Sequence, residues 1–292
     1  MPFLFTIFEQ LFLHIPLLLG AYISFSLMKI PDLSIESAYV CGAFCGAQTT
    51  IFLSGFHPFV QAMGAIFMSI VGGACVGLMS SSFTSGLKIS HLLSAIMTAG
   101  FFYGINQLIG GIYISLSQIQ NPFLTCLIAK YPELPAFLFI ACLITLLIFF
   151  FFKTELGYSC AVYGINPHFF KHYGISETYI FIAGIVLANA LGGLSGFLNA
   201  QANGFVEINM AFNKALFCLT ALIFGKVFIR STAPLVIMRP IVGGLSYFVI
   251  QQLLLKVGFN VRYFTSVQAL IVLLILCFTQ RTSRSSKDLL GV

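Results

Sequence analysis

The 292-residue chain contains no tryptophan and very little charge. Asp, Glu, Lys and Arg together make up 8% of it, against roughly 25% in a soluble domain. That scarcity excludes an ordinary soluble enzyme. No GxSxG, HExxH or P-loop GxxxxGK[ST] pattern occurs, so the common devices for acyl transfer, zinc hydrolysis and ATP hydrolysis are missing. Without tryptophan, interfacial anchoring falls to Tyr and Lys/Arg. The eight cysteines lie mostly inside apolar runs and form no CxxC pair with a histidine partner; they read as small hydrophobic fillers. The N-terminus has no basic stretch and no small-residue cleavage site, and reads as a first membrane helix.

What is present is apolar. Hydrophobic residues reach 59% and mean hydropathy is +1.01, the composition of an integral membrane protein. The apolar runs are long and fused, which favours a helical bundle over a barrel. The expected class is an all-α polytopic bundle of about nine transmembrane helices, near 8–30, 33–54, 58–82, 91–110, 134–152, 177–200, 208–229, 233–254 and 264–280. With a basic tail at 281–292 placed in the cytoplasm, Lys29, Lys88, Lys153, Lys171, Lys226, Arg230, Arg281, Arg284 and Lys287 fall inside. Lys130, Lys214, Lys256 and Arg262 fall outside, a bias that matches the positive-inside rule. The net charge of +6 reads as topology signal rather than nucleic-acid affinity, and the expected surroundings are the lipid bilayer.

The chain is organised around 184–212. Gly184, Ala188, Gly192, Gly196 and Ala200 recur every four residues, one helix face along which backbones can approach closely. The segment then turns polar through Asn199, Gln201, Asn203, Glu207 and Asn209, broken by Gly204. Such polar groups are costly against lipid and should face protein or water. Two readings stay open: a solute pathway between helices, or a packed helix followed by an exposed loop. Asp32, Ser34 and Asn189 join the candidate pathway set. No acid lies deep in mid-helix; Asp32, Glu36 and Glu207 stand near expected helix starts, where the dipole favours a carboxylate. Capping is favoured there over ion coupling. His14, His57 and His91 stand alone and read as packed or interfacial residues. Lys214, seven residues after Glu207, reads as sharing its helix face.

Asp32-Leu-Ser-Ile and Glu207-Ile-Asn-Met stand 175 residues apart. Shifted by that amount, expected helices one to four fall on six to nine. The pattern divides a single transmembrane domain into a first repeat at 1–110, a linking helix and cytoplasmic loop at 134–176, and a second repeat at 177–280. Five helices separate each pair, so the repeats are inverted, a recurrent transporter plan. Within the loop, Asn166 and Pro167 read as a helix cap and first position. His168, Phe169, Phe170, Lys171, His172 and Tyr173 supply one or two turns, and Gly174 stops them. That short helix either docks a partner protein through Phe169, Phe170 and Tyr173 or rests on lipid.

The stretches PDLSIESAYVCGAFCGA, LKISHLLSAIMTAGFFYGINQLIGG, GYSCAVYGINPHFFKHYGIS and LANALGGLSGFLNAQANGFVEINMAF resemble the membrane permeases of ABC importers, in the family of ribose and branched-chain amino-acid permeases. The likeness extends to a subgroup linked to aromatic amino-acid (tryptophan or tyrosine) uptake. The resemblance implies a fold similar to the cobalamin-type (type II) importers and a permease homodimer or pseudo-dimer in the inner membrane. It also implies cytoplasmic ABC ATPase subunits that bind the ATP, an extracytoplasmic solute-binding protein, and no cofactor in this chain. Asn166 to Tyr173 would be the coupling helix. Two positions depart from the family pattern: Cys160, where an arginine is usual, and Gly225-Lys226. A secondary transporter or channel independent of ATP, or a non-transporting scaffold, are the rival readings.

Overall fold

The computed structural model describes residues 2–116, 134–229, 237–258, 266–270 and 273. The tail at 281–292, the polar end of the loop at 117–133, Arg230 and most of the ninth expected helix lie outside the described residues. Nine α-helices are described over four or more residues with named bounds: α1 Pro2–Ala21, α2 Ser34–Phe52, α3 Pro58–Leu87, α4 His91–Gly110, α5 Leu134–Phe151, α6 Glu155–Tyr163, α7 Glu177–Asn203, α8 Lys214–Phe228 and α9 Met238–Lys256. A π-helical turn, Tyr22–Leu27, prolongs α1. Residues 266–270 are helical.

A helix falls within or across each of the first eight expected segments. Four described helical spans, Phe3–Leu27, Pro58–Leu87, His91–Gly110 and Glu177–Asn203, are long and apolar enough to cross a membrane. A fifth is reached if α5 and α6, bent by 77°, count as one. The chain is thus an all-α membrane protein with several spans. α2 carries Glu36 and Gln48, and α8 has 15 residues, about 22 Å at 1.5 Å per residue. These helices are shorter or more polar than a lipid-facing span needs, and they bury much of their surface against neighbours.

The seventh segment corrects the sequence reading. Glu207 does not open a helix. It ends the short strand β2, Phe205–Glu207, which pairs antiparallel with β1, Tyr113–Ser115, placing Glu207 opposite Tyr113. Helix α8 begins only at Lys214, so Glu207 and Lys214 do not share a helix face. Three-residue strands with such distant partners leave no periodic signal in sequence.

Helix α7 is the centre of the bundle, packing on α1, α2 and α3. The small-residue face set by four-residue spacing meets the first two helices and the turn between them. Gly184 lies on the Met28 sulfur, the Ala188 carbonyl on Gly20, Gly192 on Ile35 and Gly196 on the Tyr39 backbone. The neighbouring face uses Gly193, which touches the backbones of Gly42 on α2 and Gly73 on α3. Three helices therefore meet with no side chain between them, as small residues permit where lipid gives no hydrophobic drive for association.

The contacts also set direction. Ser195 donates to the Leu13 carbonyl at 2.7 Å while Gly20 meets Ala188, so α1 and α7 are antiparallel. Gly42 meets Gly193 and Gly46 meets Phe197, so α2 runs with α7; Gly77 meets Val186 and Ser69 meets Gly193, so α3 runs against it. Helix α9 opposes α1, with Gly244 on Leu18 and Lys256 over the Phe3 ring. Helix α8 opposes α9, with Gly225 on Arg239 and Gly243 on Ala221. Lys29, Lys88, Lys153 and Lys226 consequently gather at the end of the bundle where α7 begins. Lys214 and Lys256 lie toward the opposite end.

Candidate functional site

The loop between α5 and α7 holds more structure than expected. Thr154 caps α6, its hydroxyl accepting from the Gly157 amide at 3.4 Å. After α6 comes a 3-10 helix, Pro167–Tyr173. The Asn166 carboxamide oxygen accepts from the His168 amide at 3.1 Å, and Gly174 turns left-handed with φ +70. Cap, proline and glycine thus act where their chemistry predicts. His168 also lies 3.4 Å from the Glu177 carboxylate at the start of α7. Phe169 is 43% exposed, whereas Phe170 is 4% exposed and packed into the core. Phe170 is therefore not available to a groove, a correction to the sequence reading: adjacent residues on a tight helix point to different sides. The side chains of Lys171, His172 and Tyr173 lie outside those described. Truncating Phe170 to Ala should cost about 3–5 kcal/mol, as for other buried phenylalanines. Thermal unfolding in detergent checks this, with Phe169→Ala expected near wild type.

Cys160, one of the two departures from the family pattern, is buried with its sulfur against Gly184. A long cationic side chain has no room there.

The eight candidate pathway residues separate into three groups. Asp32, Ser34 and Asn189 form a closed network. One Asp32 oxygen accepts from the Ser34 amide at 2.9 Å and the Ser34 hydroxyl at 2.5 Å; the other accepts from Asn189 Nδ2 at 2.8 Å. Asn189 Nδ2 also donates to the Ile185 carbonyl at 3.0 Å. All three residues are buried. Asn189 stands twelve residues into α7, about 18 Å along its axis, far from both ends. Its polar groups are satisfied within the protein, which is how ionisable groups persist at membrane depth.

The second group lies near the C-terminal end of α7. Asn203 donates to Asn199 at 2.7 Å, and Gln201 Nε2 lies 3.5 Å from the Thr50 hydroxyl on α2. Asn199 and Gln201 are buried, but Asn203 is exposed. The third group is Glu207, half-buried in β2, and Asn209, exposed in the turn before α8. Asn209 borders a cavity of about 310 Å³ between α2, α4 and residues 208–212. Glu36, Ser37, Tyr103 and Asn106 supply its other polar groups. The Asn106 carboxamide oxygen is buried there with no hydrogen-bond partner. The structure does not draw the eight residues into one continuous gap.

Residues set aside as structural form a second polar site. His14 is buried on α1 and contacts Lys214, 200 residues away, at 2.8 Å between Nε2 and Nζ. Its Nδ1 lies 2.8 Å from the Gln10 carbonyl. The Lys214 ammonium also lies 5.4 Å from the Tyr39 ring centroid, within cation–π range. A cavity of about 170 Å³ opens beside this pair, and Phe212 borders both cavities. Glu36 caps the start of α8 by accepting from the Ala215 amide at 2.9 Å, across helices rather than at its own. His57 caps α3 by accepting from Phe59, and the His91 ring packs tilted against Phe181, 5.0 Å between centroids. No signal within 20 residues of His14 points to Lys214; only the fold joins them. Among the described residues no group of three His, Cys, Asp or Glu side chains converges as a metal site.

The chain is 28% identical over 294 residues to an uncharacterized protein of Rickettsia prowazekii, covering 99% of this chain and all of that one. It is 31% identical to the tyrosine transport system permease protein of Clostridioides difficile, over 75% of this chain and 73% of the relative. It is 27% identical to a nucleoside ABC transporter permease protein of Lactococcus lactis, over 68% of this chain and 67% of the relative. No solved structure matches the chain significantly. Residues 4–276 match the family model described as the branched-chain amino acid transport system / permease component. With a match across nearly its whole length, a bundle of apolar helices and a capped loop helix, the chain belongs to the branched-chain amino acid transport system permease family, and it is a transporter component rather than an enzyme.

Proposed function

We propose that the chain is the membrane subunit of an ABC importer in the inner membrane, moving a small solute inward by alternating access. In this reading, cytoplasmic ATPase subunits supply the energy and an extracytoplasmic binding protein delivers the solute. Two copies of the permease form the pathway, each with nine spans. An amino acid is the preferred cargo, since one relative is named a tyrosine transport system permease protein.

The observation that carries the ATP-coupled reading is the short helix Pro167–Tyr173. It is capped at both ends, tied to α7 through His168 and Glu177, and presents Phe169 outward. It lies at the end of the bundle where Lys29, Lys88, Lys153 and Lys226 gather, the side that the positive-inside rule assigns to the cytoplasm. A peg there can transmit motion straight into α7, the central helix.

The inverted-repeat reading draws support from reciprocal contacts at the offset of 175. Gly20 meets Ala188, and Leu13 meets Ser195. Leu18 meets Gly244, and Ser69 meets Gly193. His14 meets Phe248, and Asn189 meets Gly73. In each pair the second contact is the first with both residues exchanged between halves. Tyr39 and Lys214, themselves 175 apart, meet each other. Two halves rocking about such an axis is a recurrent transport device.

Phe169→Ala should lower ATP-driven uptake by about 30-fold, the effect of removing one aromatic interface anchor worth ~2 kcal/mol. Uptake into cells co-expressing the ATPase subunit, with the permease level checked by immunoblot, measures this. Unchanged uptake rejects the helix as the dock. Uptake that survives ATP depletion but collapses with an ionophore favours a secondary transporter.

A further inference from the structure

We propose that the cavity beside His14 and Lys214 is a recognition site for the carboxylate group of a small solute, with Lys214 as the binding cation. This deepens the importer reading and rests on it.

The cavity of about 170 Å³ lies among α1, α8, α9 and residue 268. Its charged group is Lys214; Gln10, Gln251 and Gln268 contribute amides, and Phe217 and Tyr247 contribute rings. Among the described residues no carboxylate lies within ion-pair reach of Lys214. Its contacts are uncharged or π-electron partners, the imidazole of His14 and the ring of Tyr39. An ammonium donates at every proton, so His14 Nε2 must accept. That leaves Nδ1–H to donate to the Gln10 carbonyl, and the imidazole is neutral. The pair positions a positive charge without cancelling it.

A cation so placed in a membrane protein is expensive and marks a functional position. Glu36, the acid at the start of α8, spends one carboxylate oxygen on the Ala215 amide. The opposite half of the bundle makes the contrast plain. At the offset of 175, His14 corresponds to Asn189, and Asn189 has its own carboxylate, Asp32, at 2.8 Å. The counterpart of Asp32 is Glu207, which the β-ribbon carries off to pair opposite Tyr113. One half closes its polar centre with an internal acid; the other keeps a cation and a cavity. A carboxylate entering from outside completes the second centre as Asp32 completes the first.

The location fits a solute on its way in. His14 neighbours Leu13, whose carbonyl binds Ser195. Ser195 is eighteen residues beyond Glu177, about 27 Å along α7, on the side away from Pro167–Tyr173. Aromatic walls beside an ammonium suit a compact acid with an apolar or aromatic body; one extra charge–charge hydrogen bond distinguishes it from the neutral analogue.

The test uses full-length permease in nanodiscs, with 4-fluorobenzoate and its neutral isostere 4-fluorobenzamide as probes read by 19F NMR against empty nanodiscs. Wild type should bind the acid about tenfold more tightly than the amide, a difference of ~1.4 kcal/mol. Lys214→Met should erase that preference and Lys214→Arg should keep most of it. Equal binding of acid and amide by wild type, no binding of the acid, or a preference that survives Lys214→Met overturns the site. Because the first comparison uses wild type alone, a misfolded variant does not blunt it. Co-purification of the ATPase subunit is read on the same preparations. Wild-type permease that co-purifies the ATPase but does not discriminate acid from amide sinks the Lys214 site alone; wild-type permease that does not co-purify the ATPase sinks the importer reading.

Discussion

Gly193→Leu should yield no folded permease. A β-carbon at residue 193 would stand 2.6 Å from the Ser69 carbonyl oxygen and 2.9 Å from the Gly73 α-carbon. Those are backbone atoms, held by helix α3, and neither can swing aside. On the other flank, Gly42 of α2 already rests on the Gly193 backbone. Even alanine must force two helices apart, at a cost of about 3 kcal/mol or more, the upper range for overpacking. Leucine adds three further carbons in the same place. The control is Gly192→Ala. Its β-carbon would meet the Ile35 side chain at 3.1 Å, a flexible neighbour that can shift by a few tenths of an ångström, so the expected cost is below about 1 kcal/mol. Size-exclusion chromatography and thermal unfolding in detergent compare the two. A monodisperse, wild-type-like Gly193→Leu protein would show that α2, α3 and α7 do not meet as described.

Asn189→Leu should destabilise the protein by about 1.5–3 kcal/mol, the worth of a hydrogen bond to a charged partner. Asn189 Nδ2 donates to one oxygen of Asp32, while Ser34 serves the other. With leucine at 189 that oxygen loses its donor in a buried site. Leucine also lacks the second hydrogen bond that Nδ2 adds at the Ile185 carbonyl. Asn189→Asp should be worse, since it sets a second carboxylate against Asp32. Exchanging the two, Asp32→Asn with Asn189→Asp, restores one acid facing one amide. The double variant should recover at least 0.5 kcal/mol relative to the sum of the single changes, the lower bound expected of directly coupled neighbours. Additive losses across the cycle would mean that the two side chains do not interact. Since the network is closed and borders neither cavity, it is expected to act on stability, with uptake per folded molecule nearly unchanged.

How much of this was legible beforehand depends on the range of each signal. Long apolar runs mark helices directly, so α2 to α5, α7 and α9 fall close to where hydropathy puts them, while α1 starts earlier and α8 later than expected. The Asn166-Pro167 cap and Gly174 stop are local chemistry, and they sit where sequence places them. Glu207 misleads because acid–apolar–polar–apolar reads as a helix start, while its strand partner Tyr113 is far away in the chain. Gly193 escapes notice for a different reason. A four-residue ladder picks out one face, but α7 is buried on more than one side, and the meeting with Gly42 and Gly73 falls between the rungs. Phe170 looked equivalent to Phe169; a tight helical turn sends one ring outward and its neighbour into the core. His14 seemed isolated because its partner is 200 residues away. Pairings across the whole chain are a property of topology, and no window of neighbouring residues contains them.

The embrace of α7 by α2 and α3 has a consequence for biogenesis. Gly73 and Gly193 touch, yet the ribosome makes them 120 residues apart. At roughly 5–20 residues per second, about 6–24 s separate their synthesis. Throughout that interval the glycine-lined cleft of the early helices faces lipid or the insertion machinery. A nascent chain halted before residue 193 leaves that cleft unfilled, a vacancy that membrane quality control can read.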